Sequence, residues 1–482
     1  MRSCMRAVVT LPGQSPRRLR YNHPPFPVTS LEPGVPVHRL TRALAVLSLL
    51  ALAPPARAAM LSDSTVAEAW RLDNGLEVRT RHVPGARGIA VSLAFRAGSG
   101  YDPAGTEGLS ELLAEIEFMG AAGDLPERTR GEMSSLRPLG WESRPGRALV
   151  RFTEIATPAQ LPGVLHQFAT RMAGVSVTDA SLKAAVLQVR RDAGERLFGA
   201  PADVLYYRAD AIARGADDAQ VLRLAALPGL GKLSVRDVSA RLKATYQPGN
   251  AALALAGDLA ETDTHALVQA LFGKLAAGAA MPDTVTSRLA GSRRVSPTKA
   301  LEATAGVIAA AAPALSDSLH PGFFLGLLIT GASLNTSWGA PTPPLVSRFQ
   351  YSLLDDPELV RFYPPVPPAT TDPEVVADAL HEQFMVVGGQ IVSTSIMDRM
   401  RQSVRWIVGG ELPVELIQRV RGNPSGLATL SGGMAARALW HGDAFWADYL
   451  RRLDALKIGH NYYYEWLTDP AHQTVLLLTP SK

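Results

Sequence analysis

The chain has 482 residues, 47% of them hydrophobic and 19% charged, a composition that suits a folded protein of two or more domains and excludes general disorder. Its formal charge of +4 is small for this size; with arginine spread along the chain, it makes no electrostatic case for nucleic-acid binding. A single cysteine, Cys4, rules out a zinc ribbon or a redox pair.

Residues 1–36 carry Pro12, Pro16, Pro24, Pro25, Pro27, Pro33 and Pro36 among arginines, without apolar periodicity. They read as a disordered extension or a start site placed too early. The apolar run Leu44 to Ala53 follows His38, Arg39 and Arg42 and ends in Pro54-Pro55-Ala56-Arg57-Ala58-Ala59. A basic start, an apolar core too short to span a bilayer and an Ala-x-Ala end predict a signal peptide over residues 37–58, cleaved after Ala58. No cysteine follows the run, which argues against a lipid anchor. The expected mature chain is periplasmic or secreted and has no integral membrane segment.

In the mature chain, Arg71 to Val78 and Ile89 to Gly100 read as strands feeding a loop. Gly108 to Ala121 is then a helix, with Leu109, Leu112, Leu113 and Ile116 at the spacing of a buried face and Glu111 and Glu115 one turn apart on another. Glu111, Glu115 and Glu117 read as an acidic helix face rather than a hard-metal site, because one helix cannot aim enough oxygens at one ion. Asp102 and Glu107, near in sequence, either add to this acidic patch or are loop surface. Arg147 to Thr153 alternates as a half-exposed strand; Leu161, Val164, Leu165, Phe168 and Met172 keep a helical period. Asp179 caps a helix carrying Ala185, Val186 and Val189. Ser234 and Asp237 open another in the manner of a capping box, which ends before Tyr246-Gln247-Pro248-Gly249-Asn250 and the apolar strand Ala251 to Ala256.

Residues 276–300 are rich in Ala, Gly, Ser, Thr and Pro and read as a linker between domains at 59–275 and 301–482. Beyond it come a small-residue strand at Gly306 to Ala312, an apolar helix opened by Pro321 and a helix opened by Asp372-Pro373. The tail runs from Trp466 to Leu478. Pro248 and Pro470 stand about 220 residues apart, each just before an apolar strand, so the chain predicts two α/β halves of one design.

Leu72-Asp73-Asn74-Gly75-Leu76-Glu77-Val78, the Gly98-Ser99 strand end, and the helix frame Gly108, Leu109, Leu113, Phe118, Met119 and Gly120 together resemble the insulinase/pitrilysin family of zinc peptidases; Tyr246 to Asp258 resembles the family's Y-x-P-x-N turn, strand and G-D end. The resemblance implies an α+β fold of two homologous halves, each a mixed sheet with helices packed on one face, closing like a clam around a peptide. It also implies an inverted zinc motif, His-x-x-Glu-His, whose positions here hold Glu111, Ala114 and Glu115. The third ligand of that family, a glutamate on a later helix, corresponds to Val189. A hydrolytic zinc needs three protein ligands and an open position for water; these residues offer two carboxylates, no histidine and no general base. The resemblance also implies an Arg and a Tyr six residues apart that hold substrate. The comparable stretch, Val346 to Tyr363, lacks that spacing and leaves Arg348, Arg361 and Tyr363 as candidate peptide contacts, with ordinary surface arginines as the simpler alternative.

The histidines form no H-x-x-x-H or H-E-x-x-H pattern, and Gly98-Ser99-Gly100 lacks the spacing of a nucleophile elbow. The expectation is therefore a pseudopeptidase without catalytic residues and without zinc, acting as the non-catalytic subunit beside an active insulinase-like peptidase and sharing a peptide chamber with it. The alternatives are a stand-alone peptide-binding scaffold and a zinc endopeptidase with unusual ligands.

Overall fold

The computed structural model describes residues 66–482 except 283–288, 290, 338–346, 355, 368–369, 389–393, 410–416, 418–419, 457–465, 468 and 482. The extension and signal peptide expected before Ala59 lie outside the described residues. Among those described, two mixed sheets repeat one topology. The first is built from β1 (Val66–Arg71), β2 (Glu77–His82), β3 (Ile89–Arg96), β4 (Trp141–Pro145), β5 (Leu149–Ala156) and β6 (Ala251–Gly257), in the order β1-β2-β6-β3-β5-β4. The second, from β7 (Ser292–Thr298), β8 (Ala305–Ala311), β9 (Phe349–Ser352), β10 (Asp356–Phe362) and β11 (Gln473–Pro480), runs β7-β11-β8-β10-β9.

Position for position, β2, β6, β3, β5 and β4 correspond to β7, β11, β8, β10 and β9. In each sheet the first of these pairs is parallel and the other three are antiparallel. The equivalent strands β6 and β11 each follow a 3-10 turn opened by proline, Pro248–Asn250 and Pro470–His472, so the repeat read from Pro248 and Pro470 is borne out.

The correspondence also corrects the linker. Ser292–Thr298, inside the stretch read as 276–300, is a strand of the second sheet in parallel register with β11. Arg293, Arg294 and Pro297 concealed it: on an edge strand, charges and a proline are tolerated because one side of the backbone has no ladder to keep.

The turn between β1 and β2 explains the Asn-Gly of the first motif. Gly75 sits at φ 92, and a Cβ there would stand 3.1 Å from the Cα of Gly249. Asn74 Nδ2 donates to the carbonyls of Phe272 and Leu275, at 2.7 and 3.1 Å. These residues pin the turn to the end of the half.

Each central strand alternates between large and small residues, and the two faces meet different helices. Val91, Leu93, Phe95, Leu253 and Leu255 face α1 (Leu109–Met119), α3 (Leu161–Ala173) and α4 (Asp179–Phe198) within one core. α2 (Arg130–Leu136) lies between α1 and β4 in sequence, opened by a capping box of Thr129 and Glu132.

The opposite face presents Ala90, Ala94, Ala252, Ala254 and Ala256, which pack with the core of the second half. The helix on it, α12 (Pro424–Leu439), is rich in Gly, Ala and Ser. Ser92 bonds Ser431 at 2.7 Å and Thr153 at 2.8 Å, and Arg96 Nη2 donates to the Leu439 carbonyl at 2.5 Å. Small residues on both surfaces let a helix approach a sheet closely.

The exchange is reciprocal. After α4, a short helix at Pro201–Asp203 passes through a π-turn at Val204–Arg208 into α5 (Ala209–Ala213), followed by α6 (Asp218–Ala226). Val204, Leu205, Ala209, Ile212 and Val221 from this segment pack with Val307, Tyr363, Leu476 and Leu478 of the second sheet. The other face of that sheet, with Ile308, Ala310, Val475 and Leu477, meets the second half's own helices. The remaining helices are α7 (Val235–Thr245) and α8 (Thr264–Phe272) in the first half, with α9 (His320–Ser337), α10 (Glu374–Gly388), α11 (Thr394–Gly409) and α13 (Gly442–Ala455) in the second.

Each half packs its own helices on one face of its sheet, as the fold class implied, and residues of the other half cover the opposite face. Burying one aliphatic side chain stabilises by about 1.5–3 kcal/mol, and each half draws part of its core from the other. Residues 59–275 produced alone should aggregate or self-associate through the bared alanine face; co-expression with 276–482 should give a soluble 1:1 complex by size-exclusion chromatography. A monomeric 59–275 fragment that unfolds cooperatively would show the exchange to be dispensable.

A hydrogen-bond chain buried in the second half also sets a pH dependence. Tyr351 Oη donates to the Pro357 carbonyl at 3.0 Å, so it accepts from His320 Nε2 at 2.9 Å, and Nδ1 must then accept from Tyr449 Oη at 2.8 Å. Burial, helped by the charge of Arg452, pushes His320 down to about 3. The unfolded chain takes up this proton below about pH 6.5 and the native one does not, so the contribution is complete above that value and is lost as pH falls toward 3, by about 1.4 kcal/mol per unit. His320→Gln should be less stable than wild type in urea at pH 7, with the gap narrowing by pH 5; a constant gap would exclude a neutral, buried His320.

Candidate functional site

α1 starts with Gly108 in the left-handed region, φ 84, and its first turn is capped from upstream. Asp102 accepts from the backbone N–H of Gly108 at 3.1 Å and of Ser110 at 2.8 Å. Burial pushes the Asp102 carboxyl up to about 7, the Ser110 N–H opposes this, and the charge of Glu111 adds to the rise. Asp102 is thus a helix cap, neither an addition to the acidic patch nor loop surface, the two readings the sequence left open. Its spacing from Ser110 was too long for the short capping patterns that a sequence reveals.

The apolar stripe of α1 is buried as predicted: Leu109, Leu112, Leu113 and Ile116 all lie in the first core. Phe118 stacks on Phe152, ring centroids 5.0 Å apart, and on Trp141 of β4 at 5.7 Å. Glu117 departs from the acidic-face reading. It is buried on the opposite side of α1 from solvent, and burial pushes its carboxyl well above the carboxylate range against the charge of Arg171.

The other two glutamates are neither solvated nor gathered around an ion. Glu111 accepts both Nη groups of Arg196 on α4, one at 2.8 Å and one closer. The face of Tyr207 lies 5.2 Å from that guanidinium. Glu115 accepts from Arg130 Nη2 at 2.8 Å, and Arg130 also donates to both oxygens of Asp192 at 3.1 and 2.6 Å. Burial alone would lower both arginines; contact with these carboxylates holds them above their ordinary range.

Glu111, Ala114 and Glu115 lie on α1, and Val189 lies on α4, which packs along α1. Ala114 and Val189 are 1% and 2% exposed and both belong to the first core. The donor chemistry does not suit zinc. Ala114 and Val189 have no donor atom, and Glu111 and Glu115 each hold a guanidinium whose charge would repel a dication. Among the described residues, no three His, Cys, Asp or Glu side chains converge as metal ligands.

The three candidate peptide contacts lie elsewhere and inward, in the seam between the halves. Arg361 is 2% exposed; its Nη2 donates to Asp210 at 2.6 Å and to Asp356 at 3.3 Å, and the Tyr206 ring lies 4.0 Å away. Burial raises the Asp210 carboxyl, but Arg214 and Arg361 outweigh it and hold Asp210 below its usual range. Arg214 adds bonds to Asp356 at 3.0 Å and Glu358 at 3.2 Å, and Arg147 reaches Glu358 at 3.1 Å. Tyr363 is 1% exposed and donates to Gln350 at 2.6 Å, while buried Arg348 donates to the Tyr363 carbonyl at 3.3 Å.

Arg348, Arg361 and Tyr363, read as candidate peptide contacts with ordinary surface arginines as the simpler alternative, are instead buried and bonded within the protein. Asp356, Glu358 and Arg361 within one apolar strand, and Asp210 and Arg214 one turn apart, were the signal that could have located this network. Removing one partner of such a network leaves buried charge uncompensated, at a cost of about 3–5 kcal/mol. Arg361→Met should lower the urea midpoint accordingly, and adding Asp210→Asn should recover part of the loss. No change in Arg361→Met would place Arg361 outside the seam.

No protein-family model and no curated protein matches the sequence. Solved structures do match its fold. A protease from Helicobacter pylori aligns over 86% of this chain and 100% of its own, with 15% identity and a TM-score of 0.65. The periplasmic protease PqqL from Escherichia coli aligns over 86% of this chain but 47% of its own, with 13% identity and a TM-score of 0.61. The inactive peptidase M16 domain from Pseudomonas fluorescens aligns over 86% and 98%, with 14% identity and a TM-score of 0.57. The fold is that of the M16-type peptidases, the two-half α+β architecture that the motif frame implied.

Proposed function

We propose that this chain is a non-catalytic M16-type protein that supplies one wall of a peptide chamber to an active zinc peptidase. The observation that carries the reading is the pairing of Glu111 with Arg196 and of Glu115 with Arg130, beside Ala114 and Val189, where a hydrolytic site would place its base and its ligands. Without a base or an open metal position, no water can be activated here. The Pseudomonas fluorescens neighbour, named as an inactive domain, has the same fold. The match to about half of PqqL leaves room in that protein for a second body of this size, and a separate partner chain would fill the same need here.

Peptide retention needs no catalytic group. β4 ends the first sheet beside α1 and pairs only with β5 among the described strands. Its outer backbone edge suits the addition of an extended peptide strand, in which main-chain bonds supply affinity and flanking side chains supply selectivity. Periplasmic or secreted location rests on the segment before Ala59; no helix among the described residues is long and apolar enough to cross a membrane.

A peptide-binding protein that acts alone is the second reading. It is favoured by the coverage of both sheets on both faces within one chain, which removes bare sheet as a reason for a partner. A zinc endopeptidase with unusual ligands is not carried forward, because the carboxylates that would serve are held by arginines.

The mature chain from Ala59 onward should contain no stoichiometric zinc, should leave unfolded peptides intact, and should raise the activity of an active M16-type peptidase of its compartment while co-eluting with it 1:1. About one zinc per chain by elemental analysis, lost together with peptidase activity on chelation, would sink the non-catalytic reading. Separate elution at micromolar concentration with unchanged partner activity would leave the stand-alone binder.

A further inference from the structure

We infer that the Arg171 guanidinium holds a small monovalent inorganic anion, of the halide class, at a buried site between α1, α3 and β5. The site uses none of the residues on which the proposed function rests, so either can fail without the other.

Arg171 lies near the end of α3 and is 3% exposed, yet its Nε and Nη2 meet no acceptor among the described residues. These two N–H groups are the parallel pair on one edge of the guanidinium, the edge that grips an anion with two bonds at once. A buried charge without a partner is strongly unfavourable, and two donors on one edge call for an acceptor that both can share.

The neighbouring side chains do not supply it. Phe118 of α1 lies 5.0 Å from Phe152 of β5 and 6.5 Å from Phe168 of α3, ring centroid to centroid. This packing gathers Glu117, Glu154 and Arg171 into one part of the core, where the charges of Arg128, Glu154, Glu117 and Arg137 all act on Arg171. Glu154, fully buried, accepts from Arg137 Nε at 2.5 Å and is thereby matched. Glu117 does not reach the open edge of Arg171, and burial opposes its ionisation.

Arg128 adds charge without relief. Its Nη1 donates to Gln167, one turn before Arg171 on α3, at 2.8 Å and lies 3.8 Å from Met133 Sδ, both neutral partners. Three guanidiniums therefore face two carboxyls, one already taken and the other hindered from ionising. The excess is positive, so it is an anion that completes the site. Arg137, Glu154 and Arg171 are 6%, 0% and 3% exposed; an ion entering among them sheds its water, which costs a doubly charged oxoanion far more than a monovalent ion. A halide also meets both donors with one atom. The rival occupant is a water shared by Arg171 and Glu154 Oε1, which is buried without a donor; water would satisfy the bonds and leave the charge excess.

The test compares the mature protein in NaBr and in sodium gluconate at matched ionic strength, gluconate being too large for a buried site. Bromide should stabilise saturably, with the urea-unfolding constant falling at least about tenfold once bromide is well above its dissociation constant. Crystals soaked in NaBr should show an anomalous peak in contact with Arg171 Nε and Nη2. Arg171→Met should lose both the peak and the saturable response. Should that variant fail to fold, Arg128→Met takes its place: it keeps the two-donor edge and removes the second charge, so the bromide effect should shrink at least about threefold.

Equal stability in bromide and gluconate overturns the site, as does a saturable response that Arg171→Met retains or that Arg128→Met leaves undiminished. Density at Arg171 without anomalous signal identifies the shared water and overturns it too. A bromide peak with no change in stability is an adventitious ion only, and has the same consequence.

Discussion

The small-residue face of the first sheet is the constraint on which the rest of the molecule depends. A strand such as Ala251–Gly257 has large residues toward its own helices and alanines toward α12. A helix can lie on the alanine side only if its own contact surface is small, and the glycines, serines and alanines of α12 meet that condition. Because α12 belongs to the other half, the packing ties the halves into one body. The segment Val204–Ala213 does the same in the other direction with larger residues.

The same arrangement explains where charge is placed. Covering the second sheet with a first-half segment brings Asp210 and Arg214 over Asp356, Glu358 and Arg361, and burial there demands close pairing. The π-turn at Val204–Arg208 puts two adjacent tyrosines to separate uses. Tyr206 lies over Arg361 in the seam, and Tyr207 lies against Arg196 beside α1. An extra residue in a helical turn swings neighbouring side chains toward different surroundings, which a regular turn would not do.

Much of this was legible beforehand. The periodicity of Leu109, Leu112, Leu113 and Ile116 marked a helix with one buried face, and that helix packs along α4 within one core. The prolines before β6 and β11 marked the repeat because a helix cannot continue through such a turn. The strand β7 was missed because edge positions tolerate the very residues that signal a linker. Arg348 and Arg361 were read as peptide contacts or surface because an isolated arginine in a sequence is usually exposed, and Asp210, one partner of Arg361, lies about 150 residues away.

What the sequence by itself determined is what short-range chemistry determines: element types, the doubled design, and the absence of a base and of imidazole at the motif positions. Those follow from residue identity and spacing within a turn or two of chain. Only the tertiary structure decided what Glu111 and Glu115 do instead, since their partners Arg196 and Arg130 come from other helices, and nothing in the local pattern distinguishes them from the chain's many other arginines. The tertiary structure also decided that each half closes the other, because the helix on a sheet's second face is set by matching small surfaces far apart in sequence. Long-range complementarity of shape and charge leaves no periodic trace in a single chain.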